Sequence, residues 1–516
     1  MNISLQRLDE IAAISVENNA ARLFERVAFI FLVILALAAP HSIAISQSAW
    51  LIGLIATVAR FCFKPRPVIG LGKLDIALFA FVGWSVISAF ASYEPAVSID
   101  KLRSVGIFLA LYFVLANLRS LRAVQFVVLA LIVSCMVNVI WTPIERVIGR
   151  GVEVHGLTAS SALKSAGMLG GDTILKVNGK RVSSPTDIMR LAGDGNDLKV
   201  VYYRPDAEKT VTIKRSEMVD AATAEKALGF ETWKKNHKWR AKGFYGHFTT
   251  YSEVLQLIGS LILGLFGASF FAWYRRRTGT DENYVYVSFS HIAFLLGCFG
   301  LTSLALLLSG TRASQLGLLV SGFVMSIAAG SRKFVMAAIV IAIPVCAIGY
   351  YALQQTRQQD ENSNYRKTMW RDGARLATSE PRHLLVGVGT DSIKTRWQEW
   401  GLFDGGHLPM GHFHSTPLQL AVERGMPALI LWLIFLCILV RTFWRAVRSA
   451  NDTFAQGVLL GCLGAVAGFF TAGIVHYNLG DGEVAMVFYI VTGIGLATAK
   501  YSVHSSYAGI ETARTV

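Results

Sequence analysis

Charge is scarce in this chain: charged residues are 16% of 516, against 53% hydrophobic. So few charges exclude an ordinary soluble protein, whose surface needs many more. Cysteine is also scarce. All six, Cys62, Cys135, Cys298, Cys346, Cys437 and Cys462, fall within apolar runs and none in an outer loop, so no disulfide framework or zinc motif follows. Lys and Arg are absent from the short stretches 40–49 and 476–482. His-Glu-x-x-His, which would place two zinc ligands and a base on one helix face, does not occur, and no convincing Gly-x-Ser-x-Gly is found. These absences argue against an intramembrane zinc protease and a serine hydrolase.

What remains is a series of long apolar runs. About 20 residues at 1.5 Å rise cross the hydrocarbon layer, and the backbone there must satisfy its own hydrogen bonds, so helices are expected. Twelve spans are expected, near 27–45, 48–63, 75–92, 104–118, 123–141, 252–273, 284–308, 313–330, 334–353, 417–440, 455–475 and 483–499. The fold class is thus an all-α polytopic membrane protein with a small α+β insert. The first 26 residues, carrying Arg7, Arg22 and Arg26, read as an uncleaved cytoplasmic N-terminus.

Net charge is +15. Its distribution reflects topology, and a nucleic-acid partner is not implied. With the N-terminus inside, the inner loops hold Lys64, Arg66 and Lys73, then Arg119 and Arg122, then Arg275, Arg276 and Arg277, then Arg332 and Lys333, then Arg441, Arg445 and Arg448. This is the positive-inside pattern. It sends two long loops, 142–251 and 354–416, to the non-cytoplasmic side.

The first long loop reads as a soluble domain. A short helix precedes a Gly-Gly-Asp turn and a strand, Asn178-Gly179 marks a hairpin, and a second helix follows Pro185. Ala166-Gly167, Gly171-Asp172 and Val177-Asn178-Gly179 over 147–216 resemble a PDZ domain of the kind carried by bacterial periplasmic proteases. The resemblance implies a peptide or protein ligand added to a sheet edge, with a carboxylate-binding loop near Ile148 to Val154. Residues 217–251 read as a linker.

The second long loop carries the chemistry. Arg366, Trp370, Arg371 and Arg375 fall on neighbouring helix positions. A Gly-punctuated stretch follows, then His412 and His414 run directly into an apolar span. Arginine grips phosphate oxygens in a planar fork, and a histidine can take a hydroxyl proton near neutral pH. His407, His412 and His414 with Asp404 are a weaker alternative as metal ligands, because their spacing is irregular.

The order of motifs resembles the bacterial O-antigen ligase and polymerase family of integral membrane glycosyltransferases. The pieces are Thr311-Arg312, Arg366 to Trp370, Pro381 with Gly387-Val388-Gly389, His414, and Glu423 with Gly425. Phe244 to Leu257 also resembles a family segment, with His247-Phe248-Thr249 where the family commonly has His-Pro-Asn, and Ser415 stands where Asn is frequent. The resemblance implies a polyprenyl-diphosphate-linked glycan as donor and a glycan, lipid or protein hydroxyl as acceptor, without cofactor or metal. It implies His414 as base with His412 beside it. Arg312 and Arg366 would hold the diphosphate, helped by Arg371 and Arg375, while His247 and Glu423 would lie in the donor or acceptor loop. Ligase, polymerase and protein oligosaccharyltransferase remain open. A polysaccharide exporter or flippase is the rival class, but its charged residues should sit on broken helices near the midplane.

Overall fold

In the computed structural model the described residues are 2–67, 72–192, 197–204, 207–278, 287–330, 336, 361–408 and 411–514. They form two compact units, one of residues 1–138, 244–307 and 311–516, the other of 139–243 and 308–310.

The larger unit is helical. Among the described residues eight helices are long and apolar enough to cross a membrane: Ile43–Cys62, Lys73–Phe90, Leu121–Ile148, Phe248–Arg277, Phe289–Ser309, Thr416–Ser449, Thr453–Gly473 and Gly482–Ser502. Each overlaps an expected span. Three of the other four expected spans take a different form. The first is the Asn19–Ala38 helix, which starts eight residues earlier because Asn18 caps it, accepting from the Ala20 and Ala21 amides. It carries Arg22, Glu25 and Arg26. Glu25 is buried, and Arg60 at 2.7 Å together with Arg119 compensates its charge. The run near 104–118 is a nine-residue helix, Leu109–Asn117, joined through a 3₁₀ turn at Gly106–Phe108 to the amphipathic Pro95–Val105 helix. The helix Arg312–Ala328 has 17 residues. The span expected at 334–353 lies outside the described residues, apart from Met336.

Close packing in the bundle depends on small residues. Gly264 lies against the backbone of Gly457 and Gly461, so the Phe248–Arg277 and Thr453–Gly473 helices touch without side chains between them. Buried Gln256, Ser260 and Ser321 hydrogen-bond to one another across the same region.

The segment between two of these helices, Glu361–Thr378 to Ser415, has its own core of Met369, Leu376, Val388, Ile393, Phe403 and Phe413. Phe403 and Phe413 stack with centroids 5.5 Å apart.

The smaller unit contains one antiparallel sheet of six strands: β1 (Arg150–Leu157), β2 (Thr173–Val177), β3 (Lys180–Arg181), β4 (Leu198–Arg204), β5 (Ala207–Ile213) and β6 (Phe230–Asn236). The order is β5-β4-β2-β1-β6, with β3 paired to β2. The sheet extends past residue 216, because β6, from the stretch read as linker, pairs with β1. The peptide-receiving loop expected near Ile148 to Val154 does not form, because Ile148 ends a helix and Arg150 to Val154 belong to β1, which is paired on both sides by β2 and β6. Its backbone groups are therefore engaged, and the outer edge on that side belongs to β6.

Candidate functional site

The two histidines that run into a span are held by packing on both sides. Trp370 in the Glu361–Thr378 helix donates its indole N–H to the Phe413 carbonyl at 3.0 Å. The Phe413 amide donates to the Gln419 side chain at 2.8 Å. Phe413 is thereby fixed between two helices, with His412 and His414 on either side of it. His414 adopts φ +49°, a left-handed conformation that histidine tolerates better than bulky residues do. Its amide donates to His412 Nδ1 at 3.2 Å, and the two rings meet edge-on with centroids 4.1 Å apart.

Both rings lie in a low-dielectric, cationic setting. Burial pushes His414 down to about 3, and the charges of His412, Arg366, His476 and His247 push the same way. Burial lowers His412 to about 4, with Lys394 and His476 adding to it and Asp391 opposing. At neutral pH both are uncharged, so each keeps a lone pair able to accept a proton.

The sequence-selected residues gather in part. Arg366 lies one helical turn before Trp370, close enough to act on His414, and so does His247. His247 caps the Phe248–Arg277 helix, its Nδ1 accepting from the Thr249 amide at 3.2 Å. Arg312 is exposed at the first position of its helix, whose next turn is tied to the Phe248–Arg277 helix through the Ser314–Ser252 hydroxyl pair at 3.0 Å. Arg375 does a different job: it donates to the Trp400 and Gly401 carbonyls at 3.3 and 3.0 Å, fastening the segment to itself. Arg371 is exposed on the same helix. His407 is exposed, its Nδ1 2.6 Å from the Asp404 carbonyl. Among the described residues no group of three or more His, Cys, Asp or Glu is arranged to hold a metal ion.

Glu423 is buried and accepts the Asp391 amide at 2.9 Å. The Gly387-Val388-Gly389 stretch passes directly over the same turn. The Val388 and Gly389 amides donate to the Val422 and Glu423 carbonyls, each at 2.9 Å. Gly387, at φ +72°, lies against the backbone of Glu423 and Arg424, and Gly425, at φ +81°, against that of Leu385. A Cβ at either would overlap a backbone atom. These glycines, 36 to 38 residues apart in sequence, are a single backbone-to-backbone junction.

Other polar groups that sequence reasoning did not select converge here. His476 Nδ1 lies 3.1 Å from the buried Glu253 carboxylate, and the His476 carbonyl accepts from the Thr416 amide and hydroxyl at 3.0 Å each. Thr250 donates to Asp481 at 2.6 Å. Glu253 could have been noticed as an acid within an apolar run. His476 offers no such signal in its short loop. A cavity of about 180 Å³ opens beside His412, lined also by Lys101, Asp391, Lys394, Arg424 and Tyr477.

Uncharged histidines beside an arginine, where apolar helices end, define a multi-pass membrane protein with a polar site at the mouth of its bundle. Residues 297–433 match the family model described as O-Antigen ligase. That stretch takes in the arginine helix, the glycine junction and both histidines, and it ends within the Thr416–Ser449 helix. The match supports glycosyl transfer in O-antigen processing, with a lipid-linked glycan and the bilayer as partners. No curated protein matches the chain.

Proposed function

We propose that the chain transfers a glycan from a polyprenyl diphosphate to an acceptor hydroxyl at the outer, periplasmic face of a bacterial inner membrane. The observation that carries this reading is the buried, neutral His414 on which the Arg366 charge acts, within the segment that matches the ligase family. The acceptor oxygen attacks the anomeric carbon and its proton passes to a ring nitrogen of His414. The bond from that carbon to the phosphate oxygen breaks, and the diphosphate leaves with the electron pair. Arg366 and Arg312 would stabilise the charge on the leaving oxygens. His412 and His247 keep the pocket around His414 polar, and Glu423 positions the Asp391 loop. A base at about 3 is weak in the free protein. Donor diphosphate placed nearby favours the imidazolium and raises the pKa, so the base strengthens when substrate arrives. No cofactor or metal is required by this scheme. A peptide or protein that docks beside β1 on the smaller unit would add to the outer edge of β6.

The test is transfer in vitro by the purified chain, beside binding of a polyprenyl diphosphate that lacks sugar. His414→Ala should lower turnover by about 10²–10⁴ with binding nearly unchanged, because a general base acts mainly in the transition state. Arg366→Lys should weaken both, since an ammonium lacks the fork. Normal turnover in His414→Ala would return the histidine pair to a structural role.

A further inference from the structure

The cavity beside His412 contains a charge imbalance that the scheme above does not use. Arg424 is only 7% exposed, yet its Nε has no hydrogen-bond partner and its Nη1 reaches Ser85 Oγ at 3.3 Å. Among the described residues no carboxylate lies within 4 Å of its guanidinium. The nearest aromatic face is Phe81, 5.6 Å away. Arginine cannot shed its proton to escape such a site, and the Glu423 carboxylate that acts on it electrostatically makes no direct ion pair, so burying the guanidinium is costly. Two lysines from distant parts of the chain face the same space. Lys101, on the Pro95–Val105 helix, and Lys394 each approach the Asp391 carboxylate to 3.0 Å. One carboxylate thus serves two ammonium groups, and the cavity lining carries three cations against one anion. The Glu423 carboxylate stands behind the lining. It holds the Asp391 amide at 2.9 Å and lies 3.5 Å from the Tyr477 hydroxyl, so it reduces the excess without cancelling it. Tyr477 and His412 add polar groups to the wall. At about 180 Å³ the space far exceeds the ~10–15 Å³ that one water needs.

We propose that this cavity binds a phosphate or diphosphate group, held by Lys101, Lys394 and Arg424. The site differs from the Arg312 and Arg366 pair selected from sequence. It adjoins the histidine pair through His412, so an anion seated there lies next to the proposed base. As a role in transfer the inference rests on the reading given above, but as a binding site it stands independently.

The test uses the full chain in lipid nanodiscs and two probes. Inorganic diphosphate represents a soluble phosphate source, and a polyprenyl diphosphate without sugar represents a membrane lipid. Binding is read by calorimetry on wild type, K101Q, K394Q, R424Q and a control, R190Q, on the smaller unit. Because R424Q alters a buried group, the lysine variants, both partly exposed, keep the test decisive where R424Q fails to fold. Each lysine variant should bind at least about tenfold more weakly, the effect of losing one charge-assisted hydrogen bond, with R190Q unchanged. Loss confined to the lipid probe assigns the site to a lipid headgroup; loss confined to inorganic diphosphate assigns it to a soluble phosphate compound. Unchanged affinity in folded K101Q and K394Q overturns the proposal, as does failure of wild type to bind either probe. Intact diphosphate binding in a chain that transfers no glycan would leave the cavity standing and sink the reaction.

Discussion

At the scale of single residues, the proposed site rests on histidines that burial keeps neutral. His414 at about 3 and His412 at about 4 both lie well below the ordinary histidine value. The sign of the pH dependence follows. A base must be unprotonated to act, so activity falls as pH drops through its pKa. The profile of kcat/KM reports the free protein, and its acid limb should lie near 3–4, well below 6.5. The profile of kcat reports the complex, where the donor's negative charge raises the base, so its limb should lie at higher pH. Measuring both profiles on the purified protein checks this. Two limbs that coincide at 6.5 would mean the titrating base is an ordinary, solvated histidine. Arg375 shows the opposite lesson at this scale: its spacing suits a phosphate clamp, yet two backbone carbonyls engage it.

At the scale of elements, the decisive junction joins the 387–389 stretch to the turn at 422–425. The Thr416–Ser449 helix has 34 residues, more than the bilayer core requires, and breaks at Gly425, where ψ is 168°. Only glycine adopts that region readily. The break releases residues 416–424 as a short polar-site segment, with Pro427 restarting the membrane helix. Gly425→Ala should therefore cost at least about 1–3 kcal/mol from backbone strain alone, with further loss from the overlap on Leu385. Thermal unfolding of the detergent-solubilised variant measures the cost. A melting temperature equal to wild type would show that the junction tolerates a side chain. The Glu253–His476 contact belongs to the same scale, because it ties the Phe248–Arg277 helix to the loop that receives Thr416.

At the scale of the whole molecule, orientation across the membrane determines which substrates the site meets. The arginines and lysines of alternate short loops predict a cytoplasmic N-terminus and a histidine segment on the opposite face. A cysteine placed at Ser184, which is partly exposed on the smaller unit, should react in cells with a membrane-impermeant thiol reagent once the outer membrane is permeabilised. One placed at Arg276, exposed at the end of the Phe248–Arg277 helix, should stay unreactive. Labelling at Arg276 alone would reverse the orientation and with it the choice of substrates.

The class of the protein was legible in the sequence because it rests on a local signal, and the candidate site was proposed from signals of the same local kind. Apolar runs of sufficient length predict spans wherever they occur, and among the described residues eight of the twelve expected spans coincide with helices long and apolar enough to cross a membrane. The prominence of His412 and His414 needed only their abrupt entry into such a run. Where a span is burdened by Glu25, the outcome depended on partners far away in sequence, Arg60 and Arg119. The same physics hid the cationic cavity. Lys101, Asp391, Lys394 and Arg424 are unremarkable singly, and their charges become informative only when folding removes water and sets them around one cavity. Burial likewise sets His414 near 3, a value no local spacing contains. Local pattern thus determined the kind of protein and the address of its histidines. Tertiary structure decided which cations face that address, because desolvation and distance are properties of the folded chain alone.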